Sequence, residues 1–303
     1  MNGEAARPRD REPFDPRTVA VRDAATVMLV RDADDGPEVF MLRRTLDAIF
    51  AGGMYVFPGG AVDDADRHPD VVEWCDGLTE ARASDLLEVP LGGLAYWIAA
   101  IRECFEEAGV LLARHRDGEV VRFDDPEVHA RYQGYRTAVH DGTLRLVQLC
   151  AQEGLRLATD DIAYVSHWIT PIGERRRFDT RFFLARAPQA QEPLHDDHET
   201  IASLWVRPAE ALARRERGEL AMILPTIRNI EFLLPFATAD DALAAARRVG
   251  VPHAVQPKLR IDDDGKVTVA VPGDPGFDEL PEVPAGLAGR GLASGREAPD
   301  RPT

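Results

Sequence analysis

Lysine is almost missing from this 303-residue chain: Lys258 and Lys266 are the only two, although lysine and arginine together number 36. The bias reads as genomic base composition, but it leaves arginine to meet anions, and arginine's planar fork suits phosphate. Positive charge is scarce overall. Asp and Glu number 52 and the net charge is −16, which excludes a basic surface laid along a nucleic-acid backbone. Cysteine is scarce as well. Cys75, Cys104 and Cys150 are odd in number and far apart, so no disulfide framework is expected, and the lack of a Cys-x-x-Cys pair excludes a zinc ribbon. No apolar run approaches the roughly 20 residues that span a bilayer. The N-terminus is charged and contains proline, with no apolar signal core. These absences lead to the expectation of a cytoplasmic protein with neither nucleic acid nor membrane as partner.

Acidic residues, by contrast, are concentrated where they bear on chemistry. The segment Arg102-Glu103-Cys104-Phe105-Glu106-Glu107-Ala108-Gly109-Val110 places carboxylates at i, i+3 and i+4. On a helix this spacing puts them on one face. Such a face is either a solvated acidic surface or a set of oxygen ligands for a hard divalent cation, which completes its shell with water and substrate phosphates. Upstream, Tyr55-Val56-Phe57-Pro58-Gly59-Gly60-Ala61-Val62-Asp63-Asp64-Ala65-Asp66 is an apolar run ending in Pro-Gly-Gly and followed by acids. It reads as a strand entering a tight turn, where glycine lets the backbone approach a ligand.

Together these segments resemble the signature of the Nudix hydrolases, Gly-x5-Glu-x7-Arg-Glu-U-x-Glu-Glu-x-Gly-U, where U is bulky and apolar. Arg102, Glu103, Glu106, Glu107, Gly109 and Val110 fall in place, Cys104 occupies the first U position, Gly60 is the opening glycine and Asp66 replaces the first glutamate. Gly60 and Arg102 lie 42 positions apart where the uninterrupted motif has 14, so about 28 residues, roughly 67–93, are inserted. This split box is similar to that of the branch containing the mammalian peroxisomal coenzyme A diphosphatase. Trp168-Ile169-Thr170-Pro171 and Arg176-Arg177-Phe178-Asp179-Thr180-Arg181-Phe182-Phe183 resemble that branch too, and the resemblance covers roughly residues 22–236. The chain ends at Arg301-Pro302-Thr303 rather than in Ser-Lys-Leu, so a peroxisomal address is not expected.

The resemblance implies an α/β fold, a Nudix-type α/β/α sandwich with a mixed sheet, here carrying the box insertion and an extra helical module at 126–153. The domain expectation is a leader at 1–20, a Nudix domain at 21–261, and a largely disordered acidic, Gly- and Pro-containing tail at 262–303. Apolar periodicity predicts strands at 24–30, 38–44, 54–57, 162–169, 178–185 and 200–206. It predicts helices at 79–87, 94–112, 126–140, 144–153, 208–217, 225–236 and 239–249, with one hairpin at 258–271. The module at 126–153 would serve as a lid or as the surface of a homodimer.

The family's chemistry is attack of a metal-activated water on a diphosphate, with Mg²⁺ or Mn²⁺ neutralising the phosphoryl oxygens. By resemblance, Glu103, Glu106 and Glu107 are metal ligands, joined by Gly59 through its carbonyl and by Asp66. Arg102 is the arginine that orients a glutamate. Within His195-Asp196-Asp197-His198-Glu199, Glu199 is the candidate base or further ligand; the cluster also reads as a separate metal site or a solvated loop. The expected substrate contacts are Arg44, Phe57, Gly59, Gly60 and Arg177. Arg43 and Arg44 read either as partners of a 3′-phosphate or as exposed charge at a strand end. The substrate is a small nucleoside-diphosphate derivative: coenzyme A or acyl-coenzyme A first, ADP-ribose or a dinucleotide as rival. A non-catalytic Nudix-fold binding module is the alternative of another class, and the retained glutamates speak against it.

Overall fold

The chain enters its sheet as a tight hairpin in the computed structural model, which describes residues 15–283 except 47, 49, 50, 197, 263 and 265. Strands β1 (Val21–Ala33) and β2 (Gly36–Arg44) pair antiparallel from Val30 opposite Val39 to Ala33 opposite Gly36. Only Asp34 and Asp35 lie between them, because Gly36 takes φ +116°, a conformation open to glycine. In β2 the consecutive residues Val39, Phe40, Met41 and Leu42 are all buried. A buried run of this kind marks a strand covered on both faces.

β3 (Tyr55–Val56) pairs with β2, and β4 (Gly59–Ala61) pairs with β1, setting Ala24 opposite Ala61, Ala25 opposite Gly60 and Thr26 opposite Gly59. The expected strand is β3, which enters a bend at Pro58; Gly59 and Gly60 lie beyond the bend, in strand β4, rather than in the turn itself. A Cβ on Gly59 would lie 2.4 Å from Thr26 Oγ1, so close approach to β1 requires glycine there.

The box insertion holds a 3-10 turn at Pro69–Trp74 and helix α1 (Glu80–Leu87), whose first turn is capped by Thr79 Oγ1 accepting from Arg82 N at 3.2 Å. Helix α2 (Leu94–Ala108) follows. It stops four residues earlier than expected because Gly109, at φ +68°, turns the chain and donates its N–H to Phe105 O at 3.0 Å. Among the residues of α2 only Glu103 and Glu106 are not buried. Trp97 anchors it in the core, donating Nε1–H to Ile162 O at 3.1 Å and packing on Phe183 with ring centroids 4.7 Å apart. Glu80 ties the insertion to the start of α2: its carboxylate accepts from Ser84 Oγ at 2.7 Å and from the N–H groups of Gly92, Gly93 and Leu94 at 2.6, 3.1 and 3.1 Å.

β5 (Ala113–His115) pairs with β6 (Leu155–Leu157) in a small sheet that periodicity had not suggested, and between them run α3 (Pro126–His140) and α4 (Leu146–Glu153). β7 (Ala163–Ile169), β8 (Arg177–Arg186) and β9 (Thr200–Val206) join the sheet, α5 (Pro208–Glu216), α6 (Leu224–Leu233) and α7 (Ala239–Ala246) follow, and β10 (Ala254–Val255) completes it. The strand order is β10-β7-β8-β1-β2-β3, with β4 beside β1 and β9 beside β2. This is the α/β class with a mixed sheet and several helices.

Two compact units divide the chain. Among the described residues, the larger comprises Arg22–Trp168 and Phe178–Ala254, and the smaller comprises 15–21, Ile169–Arg177 and 255–283. In the smaller unit β11 (Lys258–Ile261) and β12 (Val267–Ala270) form the expected hairpin. Lys258 donates Nζ–H to Phe277 O and Leu280 O at 3.2 and 2.9 Å. The two strands of this hairpin lie on either side of the end expected for the Nudix domain, residue 261. Residues 1–14 of the expected leader and 284–303 of the expected tail lie outside the described residues. Among the described residues no helix is long and apolar enough to cross a membrane.

Candidate active site

The last two turns of α2 carry Glu103, Glu106 and Glu107 toward β4. Arg102, itself buried, is the hub that holds two of them. Its Nη1 donates to Glu103 Oε1 at 2.9 Å and to Glu106 Oε1 at 3.1 Å. Nε and Nη2 grip Asp66 at 3.0 and 2.9 Å, and Nη2 also reaches Ala61 O at 2.8 Å. One guanidinium thereby joins the two halves of the interrupted box. Asp66, expected as a metal ligand, is 2 % exposed; its oxygens accept from Arg102 and from the Asp63 N–H.

The glycines meet the helix on its other side. Gly59 N–H donates to Glu107 Oε2 at 2.9 Å. A Cβ on Gly60 would fall 2.4 Å from Glu103 Oε1, so the carboxylate fills the space that a side chain would need. Phe57 is 2 % exposed and packs in the interior.

Arg44, at the end of β2, lies between Glu107 Oε1 at 3.8 Å and Glu199 Oε2 at 3.3 Å. Its Nε is buried with no hydrogen-bond partner among the described residues. Glu199 is held by its backbone: its N–H donates to Asp196 Oδ1 at 3.1 Å and its carbonyl accepts from Thr45 N at 3.0 Å. Asp196 also accepts from the N–H groups of His198 and Thr200. Burial would raise its pKa, but these bonds outweigh burial and hold it below the usual carboxylate range. The 195–199 cluster is thus a hydrogen-bonded turn that presents Glu199 to Arg44, with Asp197 outside the described residues. Arg177 belongs to the smaller unit, where its Nε donates to Thr170 O at 3.1 Å. Arg181, two positions along the same strand face from Asp179, pairs with that acid and with His167 on β7.

Two residues escaped the sequence reading. Arg136 and His140 lie one turn apart on α3 and face the end of α2. His140 Nδ1 is 3.8 Å from Glu106 Oε2, and its ring stacks on His198 at 5.7 Å between centroids. Nothing in the local pattern of α3 marks either residue.

Burial dominates the electrostatics. It pushes Glu103 up to about 7 against the pull of Arg102. Burial raises Glu107 well above the ordinary glutamate value, reinforced by the Glu103 charge, and also raises Glu106. Among the described residues no three His, Cys, Asp or Glu side chains converge as a ready cation cage. The hydrogen bonds explain this: Glu103 and Glu106 lean on Arg102, and Glu107 on Gly59. The donor set nevertheless fits a hard divalent cation, since it consists of desolvated carboxylate oxygens whose mutual repulsion a cation would relieve.

The family model described as the NUDT19 Nudix domain matches residues 78–233. The chain belongs to the NUDT19 Nudix family. It is a Nudix hydrolase. The matched span contains the whole helical half of the box and begins beyond Gly60 and Asp66. The chain is 30% identical over 277 residues to a Gallus gallus protein named acyl-coenzyme A diphosphatase NUDT19, covering 75% of this chain and 72% of that one. It is 25% identical to the Xenopus laevis protein of the same name, over 81% of this chain and 73% of the other. Among solved structures, a NUDIX hydrolase from Alicyclobacillus acidocaldarius superposes with a TM-score of 0.62 at 27% identity, covering 75% of this chain and 97% of that one.

Proposed function

We propose that this NUDT19-family hydrolase cleaves the diphosphate linkage of coenzyme A or acyl-coenzyme A with Mg²⁺ or Mn²⁺ bound. Water adds to one phosphorus, the bridging P–O bond breaks, and the products are the (acyl-)phosphopantetheine and adenosine 3′,5′-bisphosphate. The single observation that carries this reading is the meeting, at β4 and the end of α2, of two networks, Asp66–Arg102–Glu103/Glu106 and Gly59–Glu107–Arg44–Glu199, which gathers acid, arginine and backbone. The name of the avian and amphibian relatives supports the choice of coenzyme A.

Glu103, Glu106 and Glu107 would hold the metal, which neutralises phosphoryl charge and acidifies a water when bound. Arg102 fixes Glu103 and Glu106 from behind. Arg44, between Glu107 and Glu199, is the cation placed to meet a phosphate that the acidic surroundings would otherwise repel. Glu199, half exposed, is the candidate to take a proton from water. Three free, buried cysteines suit a reducing compartment, and the cytoplasm is the proposed setting.

The test is a product-resolved assay with Mg²⁺ on coenzyme A, acetyl-coenzyme A, ADP-ribose, NADH and nucleoside triphosphates. Cleavage of the coenzyme A compounds at the highest kcat/KM is expected. A preference for ADP-ribose or NADH overturns the substrate, and no turnover by folded protein overturns the activity.

A further inference from the structure

The helical module contributes to the site through a buried arginine. Arg136, 8 % exposed, inserts its guanidinium under the end of α2. Its Nε donates to Glu106 O at 2.8 Å, and its Nη2 donates to Glu107 O at 2.9 Å and to Leu194 O at 3.0 Å. The first two are carbonyls of the last helical turn, which lack partners within the helix. A cation there is also favoured by the helix dipole. The third belongs to the segment leading to Glu199, which is stitched to the same helix end by Leu194 N donating to Ala108 O at 3.0 Å. Gly109 makes room for the guanidinium: a Cβ there would lie 3.1 Å from Arg136 Nη1.

Resting on the hydrolase reading above, we propose that Arg136 is a positioning residue that fixes the Glu106–Glu107 turn relative to the segment bearing Glu199, so that the module at 126–153 forms part of the active site. Through these three backbone bonds it acts on the carboxylates that the turn carries. Lysine in its position retains the charge but cannot bridge three carbonyls in a plane.

The test compares Arg136→Lys with Tyr135→Phe, a control that removes a hydrogen bond from Tyr135 to Glu153 inside the module and leaves α2 untouched. In Arg136→Lys, kcat on acetyl-coenzyme A should fall about 10- to 100-fold with KM within about threefold, and Mn²⁺ affinity, measured by calorimetry without substrate, should fall about tenfold. Tyr135→Phe should match wild type in both. A folded Arg136→Lys with wild-type kcat and Mn²⁺ affinity overturns the proposal, as do equal losses in Tyr135→Phe. If Glu107→Gln is impaired while Arg136→Lys is not, only the positioning role falls; if neither is impaired, the site reading falls and this inference with it. Should Arg136→Lys fail to fold, amide exchange of the wild-type chain decides: Mn²⁺ should slow exchange in α3 along with α2, and protection of α2 alone overturns the coupling.

Discussion

Gly60 and Glu103, far apart in sequence, occupy complementary space: the missing Cβ of the glycine is where the glutamate carboxylate sits, 2.4 Å from the position a methyl would take. The group that would have to yield is the end of a flexible side chain rather than backbone. Gly60→Ala should therefore spare folding and displace the carboxylate. The expected result is a melting temperature within a few degrees of wild type and a kcat lower by about 10²-fold, the usual consequence of a misplacement near 1 Å. Circular dichroism melts and steady-state kinetics on the same preparation check both halves.

Arg102 carries a different risk. It is buried and bonded to Asp66, Glu103 and Glu106. Burial would lower its pKa, but the surrounding carboxylates, Glu103 first and Asp66 next, raise it. Arg102→Ala leaves those acids desolvated and uncompensated, and a loss of about 3–5 kcal/mol is expected in urea unfolding. Adding Asp66→Asn to that variant should recover part of the loss, because one orphaned charge is removed.

The Glu80 cap makes a pH prediction. Burial opposes its charge, but hydrogen bonds from Ser84, Leu94, Gly92 and Gly93 outweigh burial and hold its pKa below the ordinary glutamate value. A depressed folded-state pKa contributes stability that is present above the unfolded value of about 4.3 and is lost as pH falls through the folded value. Glu80→Ala should cost about 0.5–2 kcal/mol at neutral pH, as for other lost helix caps. The gap between variant and wild type should narrow below about pH 4, as read from denaturant curves across pH.

The cysteines should be inert in the native protein. All three are buried, and burial pushes Cys75 and Cys150 up to about 12 and Cys104 higher still. Ellman's reagent at pH 8 should therefore label none of the three until denaturant is added; rapid labelling of the folded chain would contradict the packing of α2 and α4.

Local pattern made much of this molecule legible. Trp97, Ile98, Ile101, Phe105 and Ala108 trace α2 at helical spacing, and Pro126 through His140 reads as a helix from its own termini. The failures have a common physical origin. Gly59-Gly60-Ala61 looks like a turn because glycine disfavours strands in isolation, yet pairing with β1 supplies the strand's hydrogen bonds from residues far away. Arg44 reads in the sequence either as a phosphate partner or as exposed charge at a strand end, and its ion-pair partner Glu199, which no local pattern reveals, lies 155 positions on. Arg136 carries no signal in the sequence because the carbonyls it binds have no side-chain signature. The chemistry of the box could be read from residue types. The contacts that orient it depend on backbone groups and on chain reversals that periodicity does not encode.

The Glu80 cap also bears on how the box tolerates its interruption. The inserted chain leaves after the first half of the motif and is clasped back at the opening turn of α2, remote along that helix from the glutamates. Lengthening or shortening the stretch between these two attachments would change loop-closure entropy only logarithmically. The insertion is therefore a region whose exposed positions can drift, provided that Glu80 and Thr79 are kept together with the residues it buries in the core, Val71, Cys75, Ala83 and Leu87, and graft or deletion variants that preserve these are the ones expected to keep the site intact.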